Sequence, residues 1–278
     1  MNHLDQLIKM ALDEDIGSGD ITAEATIPAG MQARATINAK ADLVLAGIEV
    51  VEQVFHTVNP GIRFARLVED GTRCKTGDAV ASLQGNARSL LAGERTALNF
   101  LQRLSGVATM AKRFSDAIDG TRAKILDTRK TTPGFRALEK HAVKMGGGEN
   151  HRMGLYDHYL IKNNHIAVAG SVKQALESAM RSRMEGQEIE IETRRIDEVR
   201  DALEGGADII MLDNMSVDQV RIAVEYVDGR AKLEVSGGIT LDKVRSYAES
   251  GVDYISAGSI THSAPAADLN MTMEIQNP

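Results

Sequence analysis

The 278-residue chain is long enough for two domains or one large one with an appendage, and it can bury a substantial core. Its formal charge of −7, its 4% aromatic content and its lack of Trp argue against a broad nucleic-acid footprint and against stacking on single-stranded bases. The lone Cys74 cannot form an internal disulfide, which suits a reducing compartment. The N-terminal MNHLDQLIKMALDEDIGSGD has no uninterrupted apolar core and is not expected to be a signal peptide, and no apolar run is long enough for a membrane helix. The expectation is a soluble cytoplasmic protein.

In chain order, Leu4–Leu12 has helical periodicity, and the DEDIGSGDIT that follows reads as a structured turn. Gln32–Lys40 alternates strictly, with Ala33, Ala35, Ile37 and Ala39 on one face, as a half-buried antiparallel strand does. Ile48–Val58 is helical and stops at Asn59-Pro60-Gly61. Short strands are expected at Arg63–Val68 and Ala79–Leu83, in a pattern that resembles carrier-type barrel-sandwich modules. A long helix runs from Ser89 to about Ala117, and Arg95 lies on or beside its apolar stripe. Such an arginine either snorkels at a rim or is aimed at a partner or ligand.

From Ala123 the pattern changes. Short apolar strands at Lys124–Thr128, Tyr159–Ile161, Ile189–Glu192, Asp208–Leu212, Leu233–Val235 and Tyr254–Ala257 alternate with helical segments at Val172–Met184, Ile196–Leu203, Val217–Val227 and Leu241–Ser250. Repeated βα units predict a parallel sheet, closed as a barrel or left open, and their spacing fits a TIM-type barrel with about six strands rather than eight. The tail after His262 has no readable pattern.

The strands end in ligand-type residues: Arg129-Lys130, Lys162, Glu190 or Glu192, Asp213, Ser236-Gly237-Gly238 and Gly258-Ser259. The carboxyl ends of parallel strands face one rim, where ligands bind. Glycine-rich ends before helices suit a phosphate. Arg129, Lys130, His151, Arg152 and Lys162 form a dense cationic set, part of a segment, Asp127–His165, with seven Lys or Arg against four Asp or Glu. Glu190 and Asp213 are its acidic members, suited to Mg²⁺, to ribose hydroxyls or to developing positive charge. His141, His151, His158 and His165 keep company with cations rather than with the ligands of a zinc shell. Neither a GxSxG nor a complete Walker A sequence is present. A Schiff-base aldolase using Lys162 is an alternative reading.

The runs DTRKTTPGFRALEKHAVKMGGGENHRMGL and LIKNNH, with EDIGSGDIT, ERTALNFLQRLSG, IIMLDN, VSGGI and AGSITHS, closely resemble the quinolinate phosphoribosyltransferase family over nearly the whole chain. The resemblance implies an incomplete α/β barrel (106–265) with an N-terminal α/β sandwich domain (1–105, joined by the tail 266–278). It also implies a homodimer, open to further association, with active sites at the interface. The implied reaction converts quinolinate and 5-phosphoribosyl-1-pyrophosphate into nicotinate mononucleotide, pyrophosphate and CO2 with Mg²⁺, in NAD biosynthesis. Carried over, Arg129, His151, Arg152 and Lys162 surround the dicarboxylate, and Arg95 reaches it from the neighbouring subunit. Lys130 faces pyrophosphate or ribose, while Glu190 and Asp213 serve the ribose hydroxyls and metal. Ser236, Gly237, Gly238, Gly258 and Ser259 take the 5′-phosphate, with Thr128 and Ala257 also lining the substrate site. Lys130, Lys162, Glu190 and Asp213 are the implied catalytic set. Two departures stand out: Asn163 replaces the family's usual acidic residue, and Arg194-Arg195 follow the glutamate strand. A second alternative is a non-catalytic or molybdenum-transport-associated paralogue.

Overall fold

The computed structural model describes residues 2–275. Two compact units emerge, one comprising residues up to Met110 with the segment from Ala264, the other Ala111–Ser263.

The first unit opens with α1 (His3–Ile16), whose first turn is closed by a reciprocal capping box: Asp5 N–H donates to Asn2 Oδ1 and Asn2 N–H to Asp5 Oδ2, each at 2.9 Å. The acidic stretch after it is more ordered than a turn, because α1 runs through Ile16 and Asp20 then caps α2 (Ile21–Thr26), accepting from Thr22 and Ala23. β1 (Gln32–Ala39) keeps the alternation of its sequence, with Ala33, Ala35, Ile37 and Ala39 buried. β2 (Leu43–Val44), α3 (Ile48–Val58), β3 (Arg63–Arg66), β4 (Arg73–Cys74), β5 (Ala79–Asn86) and α4 (Ala87–Ala117) follow. The tail from Ala264 includes a strand, β12 (Leu269–Ile275), on the open edge of β1. The resulting antiparallel sheet has the order β12-β1-β5-β3, and β2 pairs separately with β4.

Small residues let α4 approach its neighbours closely. Gly47, at φ +98°, lies against Leu104, and Gly106 lies beneath the Pro265 carbonyl. Ser105 and Thr109 accept from the Ala46 and Val44 amides at 3.1 and 2.9 Å, which satisfies backbone donors at the end of β2.

In the second unit come β6 (Lys124–Leu126), α5 (Arg136–Met145), β7 (Tyr159–Ile161), α6 (Asn163–Ala169), α7 (Val172–Ser182), β8 (Ile189–Thr193), α8 (Ile196–Glu204), β9 (Ile209–Asp213), α9 (Val217–Val227), β10 (Lys232–Ser236), α10 (Val244–Ala248), β11 (Tyr254–Ser256) and α11 (Ser259–His262). The six strands form one parallel sheet in the order β6-β11-β10-β9-β8-β7. Buried residues recur every three to four positions on α7 (Val172, Ala175, Leu176), α8 (Val199, Ala202) and α9 (Val220, Ala223, Val227), as helices covering a sheet require. The helix expected at Leu241–Ser250 is shorter, because Thr240–Lys243 forms a turn before Val244.

A flat six-stranded sheet would be roughly 24 Å wide. Yet residues following the two edge strands, Arg129 after β6 and Lys162 after β7, line one cavity. The sheet is therefore rolled into an incomplete α/β barrel, and its strands have an inner face. Register fixes the layers on that face: Glu190 lies opposite Ile209, Glu192 and Glu234 opposite Met211, and Ser236 opposite Asp213.

Gly→Ala within a helix ordinarily stabilises by up to about 1 kcal/mol. At Gly106 the added Cβ would lie 2.1 Å from the Pro265 carbonyl oxygen, so Gly106→Ala is expected to destabilise, by about 1–3 kcal/mol. Urea unfolding followed by circular dichroism checks the sign, and a stabilised variant would contradict the packing of the tail on α4.

Candidate active site

The cavity at the carboxyl end of the barrel strands has a volume of about 350 Å³. Every strand supplies part of it: Thr128, Arg129 and Lys130 after β6, Lys162 after β7, Glu192 on β8, Met211 and Asp213 on β9, Ser236 to Gly238 at the end of β10, and Ser256 on β11. His151 and Arg152, from the loop after α5, close one side.

The cations are held in two ways. Lys162 pairs with Glu192, which also accepts from the Asn163 amide at 3.0 Å and from its side-chain Nδ2 at 3.1 Å. An acidic residue at 163 would place a second carboxylate against Glu192, so asparagine is the type that fits here. Arg129 and Arg152 differ from Lys162, since each carries a buried Nε–H with no acceptor among the described residues. Arg152 is 8% exposed, and its Nη1 donates to the His158 carbonyl at 3.1 Å. Burial lowers its pKa, and the adjacent Arg129 charge adds to that. A buried guanidinium donor without an acceptor costs free energy until an anion arrives. The Arg194-Arg195 pair points to other company, because Arg195 pairs with Asp197 and Glu198 on α8.

The opposite wall is built of backbone. Gly237 and Gly238 have φ of +97° and +60°, and a Cβ on Gly237 would lie 2.3 Å from Asn214 Oδ1. Asn214, itself at φ +57°, donates to Asp213 Oδ1 at 2.9 Å, and its amide donates to the Ser236 carbonyl. Gly258 leaves room for the stem of Lys130, 2.9 Å from where its Cβ would be, while Thr261 Oγ1 donates to the Lys130 carbonyl at 2.8 Å. Ala257 is buried, and the Ser259 hydroxyl is buried without a partner. Neither they nor Gly258 line the cavity itself. Arg95 projects, exposed, from α4 in the first unit.

Glu190 lies deeper. It lines a second cavity, about 240 Å³, which meets the first across His151, Arg152 and Glu234. His151 Nε2 lies 3.0 Å from Glu190 and 3.7 Å from Glu234. The company of this histidine is therefore two carboxyls as well as the cations its sequence neighbours suggested. One nitrogen and two carboxylate oxygens fall within 4.8 Å of one another, a buried set able to hold a divalent cation. The rim offers Asp213 and Glu192, all-oxygen donors of the kind Mg²⁺ takes together with substrate phosphates and water. A site containing a nitrogen suits softer divalent ions.

Glu234 and the Asp127–Lys140 pair extend the site beyond the strand-end residues. Asp127, fully buried, accepts from Lys140 Nζ, from Asn150 Nδ2 at 2.6 Å and from the His151 amide at 2.9 Å. Glu234 and Ser236 are two residues apart on one strand, so alternation alone could have pointed to Glu234.

Burial pushes the carboxyls of Glu190 and Glu234 up to about 8 from an ordinary 4.5, and their proximity to other carboxylates adds to the rise. Between those values the folded chain holds protons that the unfolded chain has lost. Stability from these groups is thus full below the unfolded value and is lost as pH rises through about 8. Glu234→Gln cannot ionise, so in EDTA its melting temperature relative to wild type should rise by several degrees between about pH 5.5 and about pH 8.5. An unchanged difference across that range would contradict this.

Residues 20–105 match the model of the quinolinate phosphoribosyl transferase N-terminal domain, and residues 107–272 match that of its C-terminal domain. The chain is 41% identical to a probable nicotinate-nucleotide pyrophosphorylase [carboxylating] of Bacillus subtilis, over 100% of this chain and 96% of that one. It is also 41% identical to a quinolinate phosphoribosyltransferase [decarboxylating] 2b, mitochondrial, of Nicotiana tabacum, over 98% and 83% of the two chains. The crystal structure of NadC from Streptococcus pyogenes superposes with a TM-score of 0.95 at 40% identity, covering 99% of this chain and 97% of that one. The nicotinate-nucleotide pyrophosphorylase of Francisella tularensis gives 0.94 at 39%, covering 98% and 96%. With a barrel whose rim brings the buried Nε–H donors of Arg129 and Arg152 into one cavity with a glycine-rich segment, and with both domain models matched, the chain belongs to the quinolinate phosphoribosyltransferase family.

Proposed function

We propose that this chain transfers the phosphoribosyl group of 5-phosphoribosyl-1-pyrophosphate to quinolinate with decarboxylation, giving nicotinate mononucleotide, pyrophosphate and CO2. The observation that carries the reading is the pair of buried, acceptorless Nε–H donors of Arg129 and Arg152, in one cavity with the Ser236-Gly237-Gly238 wall. Two planar guanidiniums suit the two carboxylates of quinolinate. A backbone wall with positive-φ glycines suits a phosphate. In this reading Lys162 also faces the dicarboxylate, Lys130 faces pyrophosphate, and Gly258 and Ser259 support the 5′-phosphate side with Ala257 beneath. Thr128, whose hydroxyl accepts from the Lys130 amide at 3.0 Å, fixes the turn that aims Lys130.

The chemistry follows from charge. The pyridine nitrogen attacks the anomeric carbon as the bond to pyrophosphate breaks, and positive charge grows on the ribose ring. Carboxylates at the rim stabilise that charge, and cations accept the leaving anion. The ring nitrogen is then cationic, so the adjacent C–CO2 bond can break with its electron pair held beside that charge. A proton replaces the lost carboxylate. Of the two glutamates on β8, Glu192 lines the rim cavity and Glu190 lies a layer below. We therefore assign Glu192, with Asp213, to the ribose hydroxyls. Asp213 and Glu192 would also help hold Mg²⁺, which when bound neutralises pyrophosphate charge. The assembly proposed is a homodimer in which Arg95 of the partner subunit completes the dicarboxylate pocket, in a reducing cytoplasm that keeps buried Cys74 a thiol. Among the described residues no helix is long and apolar enough to cross a membrane.

A Schiff-base role for Lys162 fits poorly, because the side chain is 44% exposed and ion-paired, not a desolvated amine.

Purified protein should form nicotinate mononucleotide from quinolinate, 5-phosphoribosyl-1-pyrophosphate and Mg²⁺, and a folded, inactive wild type would overturn the reading. Glu192→Gln should lower kcat/KM by about 10²-fold or more, and Glu190→Gln by about 10-fold or less. The reverse order would return the ribose role to Glu190. Mixing inactive Arg95→Ala with inactive Lys162→Ala should restore about one quarter of wild-type activity, since half the dimers are mixed and each has one intact site. No recovery despite proven subunit exchange would exclude a shared site.

A further inference from the structure

His151 has four polar atoms, and all four are engaged inside the chain. Its amide donates to Asp127 Oδ1 at 2.9 Å, and its carbonyl accepts from Lys140 Nζ at 2.8 Å. Ring Nδ1 accepts from the Arg152 amide at 2.8 Å. Ring Nε2 faces Glu190 Oε2 at 3.0 Å, with Glu234 Oε2 at 3.7 Å. A ring nitrogen that accepts a hydrogen bond carries no proton, so the proton of the neutral imidazole sits on Nε2 and points at the carboxyls. The side chain is 10% exposed. Its neighbours in the cavity differ: Arg129 and Arg152 have buried donors without acceptors, and His151 has none to spare.

We propose that His151 is a positioning residue and not a ligand of the dicarboxylate: its imidazole is a rigid strut between the main chain of Arg152 and the Glu190–Glu234 pair, and it sets the direction in which Arg152 presents its guanidinium. The surroundings are built for this. Beneath the strut, Asp127 and Lys140 form an ion pair with 0% and 1% side-chain exposure, and Asn150 ties both together by donating to Asp127 Oδ2 and to the Lys140 carbonyl. Beyond it, the Met153 and Gly154 amides donate to Asp157 at 2.5 and 2.8 Å. Arg152 Nη1 meets the His158 carbonyl, so both ends of the 152–158 turn converge on the guanidinium. Histidine suits the position because it offers an acceptor near the backbone and a donor about 2 Å further out on one rigid plane. Asparagine supplies the near acceptor without the far donor, and lysine or arginine supplies no acceptor.

This inference rests on the reading above only for the identity of the dicarboxylate, and its test separates the two. In the full-length wild-type protein labelled with ¹⁵N-histidine, His151 should show Nε2 protonated and Nδ1 unprotonated, unchanged by saturating quinolinate. Double protonation or a change of tautomer on adding quinolinate would overturn the proposal. In kinetics, His151→Asn should cost about 30-fold in kcat/KM for quinolinate when Arg152 is intact, and about 3-fold or less in an Arg152→Lys background, because a strut has nothing left to aim. An equal loss in both backgrounds would mean that the ring contacts substrate independently. The resonance measurement needs no turnover, so an inactive wild type would defeat the transfer reading and leave the assignment of His151 standing.

Discussion

The site depends on a buried carboxylate. Asp127, at the end of β6, is fully buried and accepts from Lys140, Asn150 and the His151 amide. These three donors come from α5 and from the loop after it, so one side chain joins the first barrel strand to the basic segment. Removing either member of such a pair leaves an uncompensated buried charge, at a cost of about 3–5 kcal/mol. Crowded guanidiniums need a rigid support if they are to wait for an anion instead of turning to solvent. The Asp127–Lys140 pair supplies that support below, and the two glutamates beside His151 supply it from the barrel interior.

The inner face of the barrel sorts chemistry by height. His151, Glu190 and Glu234 cluster where burial favours neutral carboxyls. Two residues further along the same strands, Glu192 and Ser236 reach the rim beside Asp213, Lys162 and the glycines. A step of two residues, roughly 6–7 Å, separates Glu190 from Glu192 and Glu234 from Ser236. A fold that presents six strand ends at one rim can thus place cations, carboxylates and a glycine-rich backbone around a cavity of about 350 Å³.

Much of this was legible in the sequence, and the parts that were not share physical reasons. The alternation of β1 and the βα repeats after Ala123 carried the periodicity that burial imposes, so those elements could be read directly. α6 could not, since it has no buried residue and hence no apolar stripe. α5 is concealed within the cationic motif, where Glu139 and Lys140 take buried positions that apolar residues ordinarily fill. β12 depends on pairing with β1, more than two hundred residues earlier, and carries little local signal. The two glutamates of β8 face the same way and look equivalent in sequence; only height in the barrel separates them. The strand-end cations were evident from composition, but their support by Asp127, Lys140 and Glu234 is a matter of burial. The family resemblance supplied the identity of the dicarboxylate, which spacing alone left open.

In the proposed reaction, the rim guanidiniums and the glycine wall serve one coupled transfer and decarboxylation. Quinolinate carrying ¹³C in the carboxyl group beside the ring nitrogen tests it most directly. Label should appear as CO2 only when 5-phosphoribosyl-1-pyrophosphate is present, one equivalent for each pyrophosphate released. Release of label without the phosphoribosyl donor, or pyrophosphate release without label, would contradict it.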